Sequence, residues 1–229
     1  MSRAFIKIGH RGASAYEPEN TLPAFSKAIE LGADMIELDV HLCRSGELVV
    51  IHDENVERTT NGSGLVPDMI LEALKKLDAG KGESIPLLSE VIDLIDKRCA
   101  LNIELKGKGT ALPAVRIVSA AIKEKGWLKD DFLFSSFSRE ELIASREAFS
   151  DIKLGLNIAE VADEFSSFAN DLSLFSIHPD AHIVTKELVG RIHKLGMKVF
   201  VWTVDDPRQI AWMKKLGVEG IFSNYPDRL

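Results

Sequence analysis

"GADMIELDVHLCRSGELVVIHD", residues 32 to 53, is the stretch whose reading decides how this chain folds. Its first apolar run, Met35–Val40, carries Glu37 and Asp39 at alternate positions. Strand residues two apart point to the same side, so the two carboxylates share a face. Arg44-Ser45-Gly46-Glu47 then reads as a turn, and Leu48-Val49-Val50-Ile51 as a returning strand. With Ser45-Gly46 as a two-residue hairpin turn, Arg44 pairs with Glu47. Continuing that register sets Asp39 opposite His52. Cross-strand partners share a face with Cβ atoms about 4.5–5.5 Å apart, so the hairpin returns His52 to the carboxylates. A slip of one residue would turn it away.

Outward from this hairpin, short apolar runs alternate with amphipathic stretches. The strand candidates are Phe5–Ile8, Met35–Val40, Ala100–Leu105, Phe132–Ser135, Lys153–Leu156, Leu172–Ile177, Lys198–Val204 and Gly220–Phe222. Helical patterns run over Leu22–Leu31, Leu88–Asp96, Ala111–Lys125, Arg139–Phe149, Val161–Phe168, Lys186–Leu195 and Pro207–Leu216. Such alternation argues for an α/β protein with a parallel sheet. Eight units in 229 residues favour a closed (β/α)8 barrel over an open sheet, which more often has roughly five to seven strands. Gly32, Gly126, Gly196 and Gly217 follow periodic segments and mark helix ends. Only seven residues follow the last strand, so the eighth helix should shrink to a turn or be absent. The polar segment at about 54–84 is too long for an ordinary loop and reads as an insertion over one end of the barrel. Residues 1–229 are expected to form one domain.

Composition narrows the function. The hydrophobic share of 45% and charged share of 28% are ordinary for a globular protein. A net charge of −7 offers no basic field for nucleic acid, but a small phosphorylated substrate needs only local cations. Cys43 and Cys99 are far apart and read as reduced thiols, which with the absence of a signal-peptide pattern predicts a cytoplasmic protein. No stretch approaches the ~18 apolar residues of a membrane span, and no stable membrane association is expected. Self-association is left open.

In a (β/α)8 barrel the C-terminal strand ends carry the chemistry. The first strand ends in His10-Arg11, the second carries Glu37 and Asp39, and the third adds Glu104 and Lys106 on one face. A strand-end Glu-x-Asp is by itself more often a solvated edge, and an isolated surface pairing of Arg11 with Glu17 or Glu19 would be worth little. Independent surface accidents would scatter, whereas these residues gather on consecutive strands. Three carboxylates form an oxygen-rich cage for one hard divalent cation, Mg²⁺ or Ca²⁺, which relieves their mutual repulsion. Two histidines beside a cation, an arginine and a lysine suit phosphodiester cleavage: one takes a proton from the nucleophile, the other gives one to the leaving alkoxide.

"GHRGASAYEPENTLPAF", "GADMIELDVHLCRSGELVVIHD", "LKKLDAG", "IPLLSEV", "NIELKG", "SSFS", "VFVWTVDD" and "GIFSNYPD" together resemble the glycerophosphodiester phosphodiesterase family along nearly the whole chain. The resemblance implies a TIM-like barrel, a divalent cation, and hydrolysis of glycerophosphodiesters such as glycerophosphocholine and glycerophosphoethanolamine to sn-glycerol 3-phosphate and an alcohol. By motif position it implies His10 and His52 as the acid/base pair and Glu37, Asp39 and Glu104 as metal ligands. Arg11 and Lys106 would contact phosphate, and Trp202 would wall the pocket or fill the barrel core. Glu19 is expected as a partner of Arg11 or His10, Asn20 as the cap of the first helix, and Asp53 as the residue that orients His52. His41 receives no role, and His178 is a candidate for the pocket lining. A lysophospholipase D would want an apolar lid, and the insertion is mostly polar; Ile70, Leu71 and Leu74 read as its contacts with the barrel. A non-catalytic phosphoglycerol-binding module would be expected to lack part of this set. Which histidine is acid, and whether water at the cation or the glycerol hydroxyl attacks, is open at the level of sequence.

Overall fold

The computed structural model describes residues 5–161 and 165–229. Among them nine strands form one sheet. They are β1 (Ile6–Gly9), β2 (Met35–Leu42), β3 (Leu48–Val50), β4 (Ala100–Leu105), β5 (Phe132–Ser136), β6 (Lys153–Ile158), β7 (Ser176–Pro179), β8 (Lys198–Val201) and β9 (Gly220–Ser223). The order β1-β9-β8-β7-β6-β5-β4-β2 closes through a β1–β2 pairing, and β3 hangs antiparallel on the outside of β2. Every pairing within the ring is parallel. The result is a closed eight-stranded TIM barrel with helices between its strands.

The helices are α1 (Leu22–Glu30), α2 (Leu71–Leu74), α3 (Leu88–Ile95), α4 (Ala111–Lys125), α5 (Arg139–Ala148), α6 (Phe165–Asp171), α7 (Lys186–Lys194) and α8 (Pro207–Leu216). No helix among the described residues is long and apolar enough to cross a membrane. After β9 the chain makes only a 3₁₀ turn, Pro226–Arg228, as the short tail predicts. Residues 162–164 of the helical segment expected over Val161–Phe168, and residues 1–4 of the N-terminal reading, lie outside the described residues.

Strand parity sorts the side chains into two cores. Ile36, Leu38, Leu101, Ile103, Phe132, Phe134, Leu154, Ile177, Val199 and Ile221 face the helices and join their apolar stripes in one cluster. Ile8, Met35, Leu133, Phe200 and Phe222 have the opposite parity and fill the barrel axis. Higher on the same inward rows stand His10, Glu37, Asp39, Asn102, Glu104, Asn157 and Trp202. Apart from Ser176 and His178 of β7, which are buried among the axial side chains, the barrel floor is apolar and the inward polar groups collect at the C-terminal mouth.

Four local expectations are corrected. The β2–β3 register pairs Val40 with Val50 and Leu42 with Leu48, one residue away from the expected alignment, so Asp39 faces Ile51. The turn uses three residues, not two: Cys43 N–H donates to the Glu47 carbonyl at 3.0 Å, and Gly46 takes a φ of +99°. That positive φ suits the left-handed position of a three-residue hairpin loop. The expected strand over Leu172–Ile177 begins only at Ser176, because α6 runs on and ends in a left-handed cap at Ser173 (φ +50°), with Leu174 N–H returning to the Ala169 carbonyl. The strand expected over Lys198–Val204 stops at Val201.

The insertion has a small core of its own, made by Val56, Val66, Leu74, Ala79 and Ile85 against Cys43, Val49 and Ile51 of the hairpin. Leu74 and Leu71 pack there as expected, while Ile70 remains 38% exposed.

Candidate active site

Glu37 and Asp39 are 2% and 1% exposed at the mouth of β2, and the ladder sets Asp39 beside Glu104 of β4. Carboxylate oxygens of Glu37, Asp39 and Glu104 lie within 4.8 Å of one another. Burial, followed by repulsion from Asp39, drives the Glu37 carboxyl well above the ordinary range and lifts Glu104 to about 7. Asp39 Oδ1 is buried and makes no hydrogen bond, and Glu104 Oε1, also buried, has only the Lys106 ammonium 3.2 Å away. Orphaned acceptors in a crowded acidic cage are what a hard divalent cation satisfies. The donor set therefore fits one such ion.

The cage is held in place by its neighbours. Asn20 donates from Nδ2 to Asp39 Oδ2 at 2.9 Å, and its Oδ1 accepts from the Asp39 N–H at 3.4 Å. It is buried with a φ of +58°, and the helix cap expected of it belongs to Thr21, whose hydroxyl accepts from the Ala24 N–H. Arg11 also has a left-handed backbone, φ +55°, at a cost of about 1–2 kcal/mol. In that conformation its N–H donates to Glu37 Oε2 at 2.7 Å. Its guanidinium pairs with Glu19 at 2.8 Å and lies 3.5 Å from Asp39. The flanking Gly12 (φ +83°) is needed because a Cβ there would lie 2.6 Å from the Ala24 backbone. Gly12 thus permits the close approach of this turn to α1.

Both histidines reach the site, each with Nδ1 held by an oxygen. His10 Nδ1 lies 2.8 Å from Asn224 Oδ1, and the Asn224 amide is fixed by Asp205, which accepts from both its Nδ2 (2.6 Å) and its backbone N–H (2.8 Å). An acceptor at Nδ1 makes that nitrogen the N–H and leaves Nε2 with its lone pair. Burial, with Arg11 nearby, lowers His10 to about 4. His52 Nδ1 lies 2.5 Å from Asp53 Oδ1, and its Nε2 is 3.0 Å from Lys106 Nζ. Burial lowers His52 also, opposed by Asp39 and by the hydrogen bond that His52 donates to Asp53. His41, which sequence left without a role, lies with Nε2 3.0 Å from the His52 carbonyl and so supports its backbone. Lys106 is also 3.2 Å from Glu104.

His10, Arg11, Glu37, His52, Glu104 and Lys106 line a cavity of about 100 Å³, closed on the other side by Phe137, Asn157 and Trp202. Trp202 both walls this cavity and anchors in the barrel, donating from Nε1 to the His178 carbonyl at 2.7 Å and meeting Phe137 edge-on. His178 does not line the cavity. It is fully buried below it against Phe200 and Phe222, with Ser176 Oγ 2.7 Å from its Nε2.

A larger cleft of about 510 Å³, lined by Arg146, Lys153 and Phe175 among others, opens at the opposite, N-terminal end of the strands. It holds none of these groups.

Residues 10–228 match the Glycerophosphoryl diester phosphodiesterase family. The chain belongs to that family. It is 43% identical to a glycerophosphodiester phosphodiesterase of Caldanaerobacter subterraneus, over 98% of this chain and 96% of that one. It superposes with a TM-score of 0.89 on an Oleispira antarctica phosphodiesterase solved with the product sn-glycerol-3-phosphate, at 31% identity over 96% and 93% of the two chains. A human lysophospholipase D is 25% identical over 97% of this chain and 84% of its own.

Asn224, Asp205 and Arg58, whose guanidinium meets Glu19 and Asp53, are site residues that sequence reasoning missed. Asn224 follows the end of β9 and Asp205 lies shortly after β8, so a stricter scan of strand ends would have reached both. No periodicity marks Arg58, which lies in the insertion.

Proposed function

We propose that the protein hydrolyses glycerophosphodiesters, glycerophosphocholine and glycerophosphoethanolamine among them, to sn-glycerol 3-phosphate and an alcohol. One divalent cation, Mg²⁺ or Ca²⁺, would be held by Glu37, Asp39 and Glu104. When bound, it supplies positive charge to the phosphoryl oxygens. The observation that carries the reading is the convergence of two fixed imidazoles on a small cavity beside an unsatisfied carboxylate cage.

Arg11 and Lys106 hold the phosphate as the cationic side chains of the cavity. Lys106 leaves His52 Nε2 for a phosphoryl oxygen when substrate enters. His10, neutral beside Arg11 and with an amide oxygen as its Nδ1 partner, takes the proton of the attacking hydroxyl at Nε2. His52 has an ionised carboxylate at Nδ1, so once Lys106 has left Nε2 it is the better of the two imidazoles at taking up a proton there from solvent, and the protonated ring gives it to the leaving alkoxide. Trp202 and Phe137 exclude water on the far side. This arrangement serves an attacking water or the glycerol hydroxyl equally, and phosphorus NMR during turnover separates them through a cyclic glycerophosphate signal. Free thiols at Cys43 and Cys99 suit a reducing compartment such as the cytoplasm. The net charge of −7 disfavours a nucleic-acid substrate.

The test is release of sn-glycerol 3-phosphate from both substrates, with and without EDTA. Activity that survives chelation, or none on either substrate with cation supplied, overturns the proposal.

A further inference from the structure

Arg58 belongs to the insertion and touches none of the groups to which the proposed chemistry assigns a step. Its guanidinium nevertheless meets three carboxylate oxygens. Nη1 donates to Glu19 Oε2 at 2.9 Å, Nη2 to Glu19 Oε1 at 2.8 Å, and Nε to Asp53 Oδ2 at 2.5 Å. Each carboxylate passes the contact on: Glu19 Oε1 accepts from Arg11 at 2.8 Å, and Asp53 Oδ1 holds His52 Nδ1. One side chain thus ties the half of the site built on β1 to the half returned by the hairpin.

We propose that Arg58 is a positioning residue that sets the orientation and tautomer of His52 through Asp53 while fixing Arg11 through Glu19. This rests on the proposed roles of His52 and Arg11.

The geometry explains why an arginine stands here. Asp53 has one oxygen on His52 and the other on Arg58, so its carboxylate cannot turn away from the imidazole. A planar fork can grip Glu19 with two donors and Asp53 with a third, which a lysine ammonium, a point charge on a flexible stem, cannot reproduce. Arg58 is the leading cause that holds Asp53 down at about 2, and it keeps Glu19 at about 2 against the opposing effect of burial. Both therefore stay anionic. As a bare ion pair Arg58, 45% exposed, would matter little; its worth is in the angles it imposes.

The insertion supplies a firm base. Val56 is fully buried in the insertion's core, its N–H donates to the Gly64 carbonyl at 3.1 Å, and its own carbonyl accepts from the Thr60 hydroxyl at 2.7 Å. A polar insertion that would make a poor lid thus acquires a task, which is to present Arg58.

The experiment compares wild type, Arg58→Gln, Arg58→Lys and His52→Ala by steady-state kinetics on glycerophosphocholine. Imidazole ¹⁵N spectra are recorded on the cation-free protein. In Arg58→Gln, kcat should fall on the order of 100-fold, as misplacement of a catalytic group does, with a smaller effect on KM. The His52 ring signals should move from the single Nδ1–H tautomer toward a mixture, while those of His10 stay in place. Arg58→Lys, which keeps the charge and gives a second chance at a folded variant, should restore only part of kcat. Retention of kcat within about threefold in Arg58→Gln overturns the proposal, as do unchanged His52 signals in either variant or full recovery by lysine. Full activity in His52→Ala would instead sink the acid/base reading, and the ring signals would then judge Arg58 on their own.

Discussion

Replacing Glu104 by glutamine should stabilise the cation-free protein at high pH and destabilise it relative to wild type once the cation is present. Without an ion, burial and Asp39 lift Glu104 from an ordinary 4.5 to about 7. A carboxyl whose folded pKa lies above its unfolded value costs nothing below pH 4.5, where both states hold the proton. The cost grows as pH rises through the interval and is complete above pH 7. At 1.36 kcal/mol per unit, this interval corresponds to roughly 3 kcal/mol, for a side chain only 13% exposed. For a protein of this size that is on the order of 6–12 °C in Tm. The assay is thermal unfolding of wild type and Glu104→Gln in EDTA from pH 5 to 8, repeated with Mg²⁺ or Ca²⁺. Using the difference between the two proteins cancels the opposite slope that both share from His10 and His178. Those two are pushed by burial to about 4 and about 3, so each removes stability as pH falls below 6.5. In EDTA the variant should equal wild type near pH 5 and exceed it by several degrees at pH 8. With cation the order should reverse, because the amide supplies no charge to the ion. A variant no more stable than wild type at pH 8 in EDTA would refute the idea that burial and mutual repulsion penalise this carboxylate without an ion.

Two further predictions concern the support of the site. Asn224→Ala removes the acceptor that fixes the His10 tautomer, so kcat should fall on the order of 10- to 100-fold with Tm nearly unchanged. An unchanged kcat would show that His10 needs no such anchor. Gly155→Ala would bring a Cβ to 2.6 Å from the buried His178 ring, and overpacking of this kind costs roughly 1–3 kcal/mol. Chemical denaturation should register that loss, and an unchanged midpoint would mean that β6 and His178 yield freely.

The sequence made some of this legible and hid the rest for identifiable reasons. Glu37, Asp39 and Glu104 could be read because strand parity is a local rule and β2 and β4 obey it. His52 was located correctly by a register that is wrong by one residue. It still reaches the site because the ladder ends at Val50, and the chain then bends free of the two-residue period. Asn20 looked like a helix cap because its neighbour Thr21 performs that task, while its left-handed backbone turns its amide onto Asp39. The delayed start of β7 was masked by a serine in the left-handed cap position, where glycine would have announced the helix end. His10–Asn224 and Arg58–Glu19 join residues 214 and 39 positions apart. Only closure of the barrel and docking of the insertion bring them together.

The most direct test of the central claim, that His10 and His52 act together on a phosphate held at the carboxylate cage, is the turnover of His10→Ala and His52→Ala on glycerophosphocholine with saturating cation. Each variant should keep the wild-type fold and cation-induced rise in Tm, and lose turnover by at least about 100-fold. Wild-type turnover in either would contradict the account.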